Sequence, residues 1–317
     1  MRLETWPYLL AILGPTASGK SSLALQLATR YNGEIVSCDS TAVYRGFDIG
    51  TDKVPADEQQ GIRHHLIDIA DPTEEYSAAR YARESAAVIR DIQARGRWPI
   101  LVGGTGFYYR ALTRGLFPGP GRNEPLRNRL ERVADRRGVE SLHRMVARVD
   151  PESGHRIQAR DRKRLIRALE VFYLTGRPLT DHFADTVSPL EGTAIFALAL
   201  KPPMPEIAGR VARRVEAQFA RGIADEVRGL LARGVPEDAQ PFKGLVYRQV
   251  LEWLHGVRDE AATRALIVRE NLRYARRQLI WFRKEPNLVW FQGTGDEPST
   301  RAAVEEGLAA RAQETFR

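Results

Sequence analysis

Cysteine and lysine are scarce in this 317-residue sequence, and long apolar runs are absent. The single cysteine, Cys38, excludes an intramolecular disulfide and any metal cage built from cysteines. It also points to a reducing, cytoplasmic setting. No apolar run approaches the ~18 residues of a transmembrane helix, so no membrane partner is expected. The opening MRLETWPYLLAILG has one basic residue, then an acidic one, and runs straight into a strand pattern, which is not the shape of a signal peptide. There is no internal repeat and no low-complexity tract. With 43% hydrophobic and 28% charged residues, wholesale disorder is excluded. The length allows about two domains, or one with a large insertion.

What is abundant is arginine, which supplies 42 of the 48 cations of a chain with net charge +8. Residues 1–115 are neutral overall, whereas 116–180 carry +7 and 201–290 carry +6. Guanidinium forks suit phosphates and base edges, so this excess hints at a polyanion. Arg-favouring codons on solvated helix faces would give the same composition.

YLLAILG (8–14) reads as a buried strand ended by glycine, followed by a helix from SGKSSLALQLATRY. EIVSCD (34–39), HHLIDI (64–69) and WPILVGG (98–104) read as further strands, with a helix over 76–96 ended by Gly96. Alternation of this kind predicts an α/β fold, a parallel sheet flanked by helices. LFPGPGRNEP (116–125) then breaks the pattern. Several Arg-rich helices follow over 126–177, with DPESG (150–154) and TGRP (175–178) as turns. TAIFALALKPP (193–203) returns to a strand, the chain is helical from about 205 to 284, and NLVWF (287–291) is a last strand. The organisation expected is a core of 1–117 and 191–317 with a basic helical insertion over 118–190.

Gly14-Pro15-Thr16-Ala17-Ser18-Gly19-Lys20-Ser21 fits G-x-x-x-x-G-K-[ST] between a strand and a helix, the context this phosphate-binding loop requires. Backbone N–H groups, the helix N-terminus and Lys20 gather positive potential there, and the Ser21 hydroxyl is placed to hold Mg²⁺. The loop predicts a pyrophosphate-like ligand and leaves open whether that ligand is ATP. The Asp that completes an NTPase metal site has no clear candidate: WPILVGGT ends in glycines, and Asp68 and Asp71 follow only a short run. Asp39 ends the second strand on the same side of a parallel sheet as the loop. It suits a general base or a metal ligand, and equally a turn cap.

GPTASGKS, SCDSTAVYRGFDIGTDK, HHLIDIADP, LVGGTGFYYRAL, DRKRLIRALEV and RYARRQLIWFR occur in this order. Together they resemble the tRNA dimethylallyltransferase family (tRNA isopentenyltransferases, bacterial type), over about residues 8–291. The resemblance implies a P-loop-type parallel sheet with an inserted basic helical subdomain. It implies transfer of a dimethylallyl group from dimethylallyl diphosphate to N6 of the adenosine 3′ to the anticodon (position 37) of tRNAs reading codons that begin with U. The products are N6-dimethylallyladenosine and pyrophosphate. Mg²⁺ is the implied cofactor, the tRNA anticodon stem-loop and dimethylallyl diphosphate are the implied partners, and the implied state is a monomer.

By the same resemblance Gly14 to Ser21 hold the diphosphate, with Ser21 on Mg²⁺. Asp39 matches the general base, Thr105 a residue beside the pyrophosphate and the target nucleotide, and Arg214 an arginine on the leaving group. Asp39, Ser40, Thr41, Ala42, Thr105, Arg127, Lys163, Arg164, Leu165, Ile166, Arg167, Lys243, Tyr247 and Arg248 match tRNA contacts. Taken alone, Thr105 reads as a strand-end cap and Arg213 and Arg214 as solvated-face charges. Tyr274, Trp281 and Phe282 read as core packing at helical spacing. The chain departs from the family pattern at Ala42, Val246 (for Gly), Asn271, Leu272 and Ile280. The phosphate loop alone also fits a small-molecule kinase, and the basic surface fits a non-catalytic RNA binder. Prenyl transfer to free adenine nucleotides would need no such surface.

Overall fold

The computed structural model describes residues 8–315; residues 1–7, part of the stretch read above against a signal peptide, lie outside them. Two compact units emerge: one runs to Leu112 and resumes at Gly192, and the other is Thr113–Glu191. In the second unit Ser188 Oγ donates to the Thr113 carbonyl at 2.8 Å, joining its two ends.

The first unit is an α/β sandwich. Its strands are β1 (Tyr8–Leu13), β2 (Gly33–Cys38), β3 (His64–His65), β4 (Trp98–Gly103), β5 (Ala194–Lys201) and β6 (Leu288–Gln292). They form one six-stranded sheet in the order β3-β2-β4-β1-β5-β6, and every pairing is parallel. Strands β1, β2 and β4 are buried along their whole length, which explains why they read as continuous apolar runs without alternation. The third strand, expected over 64–69, stops at His65. Leu66 (φ 62°) and Asp68 (φ 56°) turn left-handed, and the Asp68 and Ile69 N–H groups donate to the Ala42 and Val43 carbonyls instead of a strand partner.

Helix α1 (Lys20–Arg30) follows β1, α2 (Ala78–Ala94) precedes β4, and α3 (Gly106–Arg114) follows it. Ser77 starts α2 by accepting the Arg80 N–H. Its face Tyr81, Ala82, Ala86, Ile89 and Ile92 is buried at helical spacing. Leu23, Leu27 and Ala28 of α1 join Leu10, Ile12, Leu198 and Leu200 in one core, closed by Val304 and Leu308 near the C-terminus. Each of these leucines contributes about 1.5–3 kcal/mol by leaving water.

The second unit is helical: α4 (Glu124–Arg137), α5 (Val139–Val149), α6 (Pro151–Arg156) and α7 (Arg162–Thr175). DPESG, expected as a turn, opens α6. Asp150 accepts the Ser153 N–H at 2.9 Å, and Pro151 stands where the helix needs no N–H. The unit has its own core, including Leu130, Leu142, Val146, Leu165, Ile166 and Leu169. That corrects two expected tRNA contacts: the Leu165 and Ile166 side chains pack inward and are buried. Arg127 and Arg167 are also engaged here. Glu170, fully buried, accepts Arg127 Nε at 2.8 Å, Arg167 Nη1 at 2.7 Å and the Asn123 N–H at 2.8 Å. Burial alone would raise its carboxyl, but these three donors outweigh it and hold the pKa at about 2. Lys163 and Arg164 are exposed.

The remaining helices belong to the first unit: α8 (Met204–Ala220), α9 (Ile223–Ala232), α10 (Tyr247–Leu254), α11 (Glu260–Phe282) and α12 (Pro298–Thr315). Neither α3 nor α12 is legible as a helix from the sequence pattern above.

Candidate active site

Sheet register brings the site together. Leu13 pairs with Gly103, and Gly103 with Cys38, so the three central strands end level. The next residues, Gly14, Gly104 and Asp39, therefore leave the sheet in one row, at the carboxyl ends where parallel sheets bind ligands. Gly103 is needed for this closeness, because a Cβ there would overlap the Cys38 carbonyl.

The phosphate loop turns into α1 at Gly19, whose φ of 80° favours glycine. Other parts of the chain hold the loop by its outer groups. The Gly295 N–H donates to the Ser18 carbonyl at 2.9 Å. Arg210 on α8 donates Nε to the Ala17 carbonyl at 2.8 Å and its two Nη atoms to Asp296 at 2.7 and 2.9 Å. Gln278 on α11 accepts the Thr16 N–H at 2.8 Å and donates to the Gly104 carbonyl at 2.9 Å, tying the loop to the end of β4. The first N–H groups of α1 have no partner within the helix and offer themselves to an anion. Lys20 Nζ donates to the Pro15 carbonyl at 2.6 Å. Burial first, and then the neighbouring Arg214, push its ammonium down to about 8, with Asp39 pulling the other way.

Asp39 has two duties split between its oxygens. Oδ1 accepts the Thr41 N–H at 2.7 Å and the Ala42 N–H at 3.1 Å, which is the turn cap foreseen as the alternative to function. Oδ2 makes no hydrogen bond among the described residues. Thr105 fixes the same turn: its N–H donates to the Cys38 carbonyl at 3.2 Å, and its Oγ1 accepts the Ser40 N–H at 3.1 Å. Its carbonyl also takes the Tyr108 and Tyr109 N–H groups that begin α3, the strand-end cap that its position alone suggested.

Arg214 reaches in from α8, one turn beyond Arg210. Its Nη2 donates to Asn271 Oδ1 at 3.0 Å, and Asn271 Nδ2 donates to the Ile267 carbonyl, fixing which way that amide points. Nε lies 2.9 Å from Asp52 Oδ2 but off the line a hydrogen bond needs, so this buried N–H has no hydrogen-bond partner among the described residues. Asp52 is steadied by Gln218 Nε2 at 3.1 Å. Burial pushes the Asp52 carboxyl up, against the pull of Arg214.

Two cavities open here. One, of about 390 Å³, is walled by the phosphate loop and Arg210, with the apolar Ala24, Ile35, Val54, Ile67 and Val102 also on its lining. The other, of about 520 Å³, is polar, with Thr41, Lys243, Arg248, Glu270 and Arg277 on its walls. Six residues line both: Thr16, Asp39, Thr51, Asp52, Arg214 and Tyr274. Ser40 lines the larger cavity and Ala42 the smaller. Of the residues singled out in the sequence, Thr16 to Ser21, Asp39, Arg214, Lys243 and Arg248 line one or both cavities, and Gly14, Pro15 and Thr105 line neither.

Tyr247 also lines neither cavity. It is fully buried, its hydroxyl donating to Glu226 Oε1 at 2.6 Å and accepting the Gly50 N–H at 3.0 Å, so it supports the 48–53 loop. Neither acidic candidate for an NTPase metal site is available. Asp68 takes Lys53 Nζ at 2.5 Å, and Asp71 caps its own loop at Thr73. Tyr274, read above as core packing, faces both cavities. Asp52, Arg210, Asn271, Gln278 and Asp296 also escaped notice as site residues. The only signal was spacing: 210 and 214 are one turn apart, and 271, 274 and 278 share a helix face.

A family model described as IPP transferase matches residues 42–285. The tRNA dimethylallyltransferase of Solibacter usitatus is 46% identical over 95% of this chain and 98% of its own length. The tRNA dimethylallyltransferase 1 of Trichlorobacter lovleyi is 46% identical over 90% and 93%. Among solved structures, the full-length tRNA isopentenylpyrophosphate transferase of Bacillus halodurans superposes with a TM-score of 0.71 at 34% identity, covering 98% of this chain and 100% of that one. A eukaryotic dimethylallyltransferase acting on tRNA gives a TM-score of 0.75 at 24% identity, over 96% and 79%, a likeness of fold. By these matches, the chain belongs to the IPP transferase family.

Proposed function

We propose that this chain transfers a dimethylallyl group from dimethylallyl diphosphate to N6 of the adenosine 3′ to the anticodon of tRNAs reading codons that begin with U. The single observation that carries the reading is the meeting of two cavities at Asp39 and Arg214, one built around a phosphate loop and lined in part by apolar side chains, the other polar and able to take a nucleoside. A donor with an anionic head and a five-carbon apolar tail suits the first. A base swung out of its stack suits the second.

In the reaction the C1–O bond of the donor breaks and pyrophosphate leaves with the electron pair. Lys20, Arg214 and the N–H groups opening α1 stabilise the charge that grows on the bridging oxygen. The new bond joins N6 to C1. Asp39 Oδ2 takes the N6 proton as that bond forms, because the exocyclic amine is a weak nucleophile. Among the described residues no group of three or more His, Cys, Asp and Glu side chains could hold a metal. Mg²⁺ would accordingly sit on the Ser21 hydroxyl and the diphosphate oxygens, the hard, water-rich shell it prefers. When bound, it neutralises diphosphate charge. Lys243 and Arg248 on the polar cavity, and the exposed arginines of the Thr113–Glu191 unit, supply cations for the anticodon stem-loop. The lone buried cysteine accords with the cytoplasm.

The test is incubation with unmodified tRNA, dimethylallyl diphosphate and Mg²⁺, followed by digestion and mass spectrometry for a nucleoside one C5H8 heavier than adenosine. Asp39→Asn keeps an oxygen for the Thr41 and Ala42 caps and loses the base. Its turnover is expected to fall by about a hundredfold or more, with pyrophosphate affinity changed less than about twofold. Near-wild-type turnover would remove the general-base role, and phosphoryl transfer from ATP without any prenyl donor would replace this reading with a kinase.

A further inference from the structure

Of the six residues shared by the two cavities, Asp39 and Arg214 have parts in the reaction above, Thr16 belongs to the phosphate loop, and Asp52 holds Arg214. Thr51 and Tyr274 have no part in it, and among the described residues Tyr274 is the only Phe, Tyr or Trp on the wall of either cavity. We propose that its ring is the platform on which the target adenine lies while N6 is presented to Asp39. The inference rests on the transfer reading.

An adenine that leaves its RNA stack gives up contact on both faces, and a sequence-tolerant way to restore one is an aromatic side chain. Such a platform must be fixed beforehand, and Tyr274 is. It sits on α11 between two anchored neighbours on the same face, Asn271, tied to Arg214 and Ile267, and Gln278, tied to Thr16 and Gly104. The hydroxyl faces Thr105, and burial, with Asp39 adding to it, pushes the phenol up to about 12, so it stays neutral and able to donate. The Arg277 guanidinium lies over the ring, 5.7 Å from its centroid, and helps to hold it in place. A base resting on this ring has Asp39 and Thr105 next to its exocyclic amine. A ring serving only the donor's tail would be expected to line the smaller cavity alone, as Ala24, Ile35 and Val102 do, whereas Tyr274 lines both.

The experiment uses Tyr274→Leu, Tyr274→Phe and Tyr274→Trp with an anticodon stem-loop. In one arm 2-aminopurine, whose emission is quenched by stacking, replaces the target adenosine; in the other, transfer to the adenosine stem-loop is followed. The wild type and both aromatic variants should keep the bound probe quenched, and Tyr274→Leu should leave it bright. Tyr274→Leu should lower kcat/KM for the stem-loop by about ten- to a hundredfold, and Tyr274→Phe by only a few-fold. Inorganic pyrophosphate affinity should be unchanged in all three, which a folding defect would not permit. If Tyr274→Leu matches the wild type in emission and kcat/KM, the ring does not carry the base. If it loses kcat/KM with the probe still quenched, the ring acts on the donor and the proposal falls. Should the Leu variant fail to fold, loss of quenching in Tyr274→Phe or Tyr274→Trp overturns the proposal equally. Wild-type protein that transfers nothing would sink the transfer reading itself, a result distinct from each of these.

Discussion

Lys20 works at a depressed pKa because its ammonium is desolvated and shares the site with Arg214. The sign of the consequence follows. A diphosphate prefers the charged lysine and, once bound, raises its pKa again. Donor affinity should therefore fall as pH rises through about 8, by roughly tenfold per pH unit until the pH reaches the lysine's raised pKa in the complex. Isothermal titration at pH 7 and pH 9.5 measures this. Lys20→Arg keeps its charge and should flatten the profile, and a wild type already flat would mean that another group carries the interaction. Val246 shows a different residue-scale compromise. It stands where the family pattern has glycine, at φ 73° and ψ −64°, a strained γ-turn for a β-branched side chain. The cost, about 1–3 kcal/mol, is offset by a side chain that is almost fully buried against the larger cavity.

Two helices do most of the positioning in the site, each through one face. On α8, Arg210 grips the phosphate loop while Arg214 enters the cavities. On α11, Asn271, Tyr274 and Gln278 meet three different partners. Gln278 is the joint between two loops, and Gln278→Leu would take the acceptor from the Thr16 N–H and leave the Gly104 carbonyl with the Gly106 N–H alone. A buried orphan costs about 1–3 kcal/mol, so the melting temperature should drop by several degrees and donor KM should rise. Gln278→Glu, which still accepts from Thr16 but cannot donate to Gly104, should fall between. Equal behaviour of Leu and wild type would mean that the loops hold themselves.

This face also marks the limit of reading the sequence. The strand ends, the phosphate loop and Asp39 were legible because each is a contiguous segment with its own turn chemistry. Tyr274 was assigned to packing because a residue at helical spacing is equally consistent with a core face and with a face whose ends reach into a cavity. Only the tertiary position of α11 separates them. The Lys163–Arg167 stretch failed in the opposite direction, since Leu165 and Ile166 are the buried face of α7 while Lys163 and Arg164 look outward. Strand β3 was overdrawn because nothing in HHLIDI announces that Leu66 and Asp68 adopt positive φ.

For the molecule as a whole, formal charge overstates the cations an RNA can use. Much of the arginine of the Thr113–Glu191 unit is paired internally: Arg127 and Arg167 serve Glu170, and Arg162 takes Asp135. What faces outward is selective. Arg129, Arg132 and Arg136 of α4 are exposed and recur at i, i+3 and i+7, which is one helix face. Such a face gains affinity by releasing counterions from phosphates, so its contribution is read in salt dependence. Stem-loop affinity should fall steeply between 50 and 200 mM salt, by about ten- to a hundredfold if a few phosphates are neutralised. Changing Arg132 and Arg136 together to Ala should reduce the slope of log affinity against log salt by about 1 to 2. Donor affinity, set by the phosphate loop in the other unit, should not change. A slope unaltered by the double change would move the RNA contact to the other basic segment, residues 201–290, where Lys243 and Arg248 already line the larger cavity.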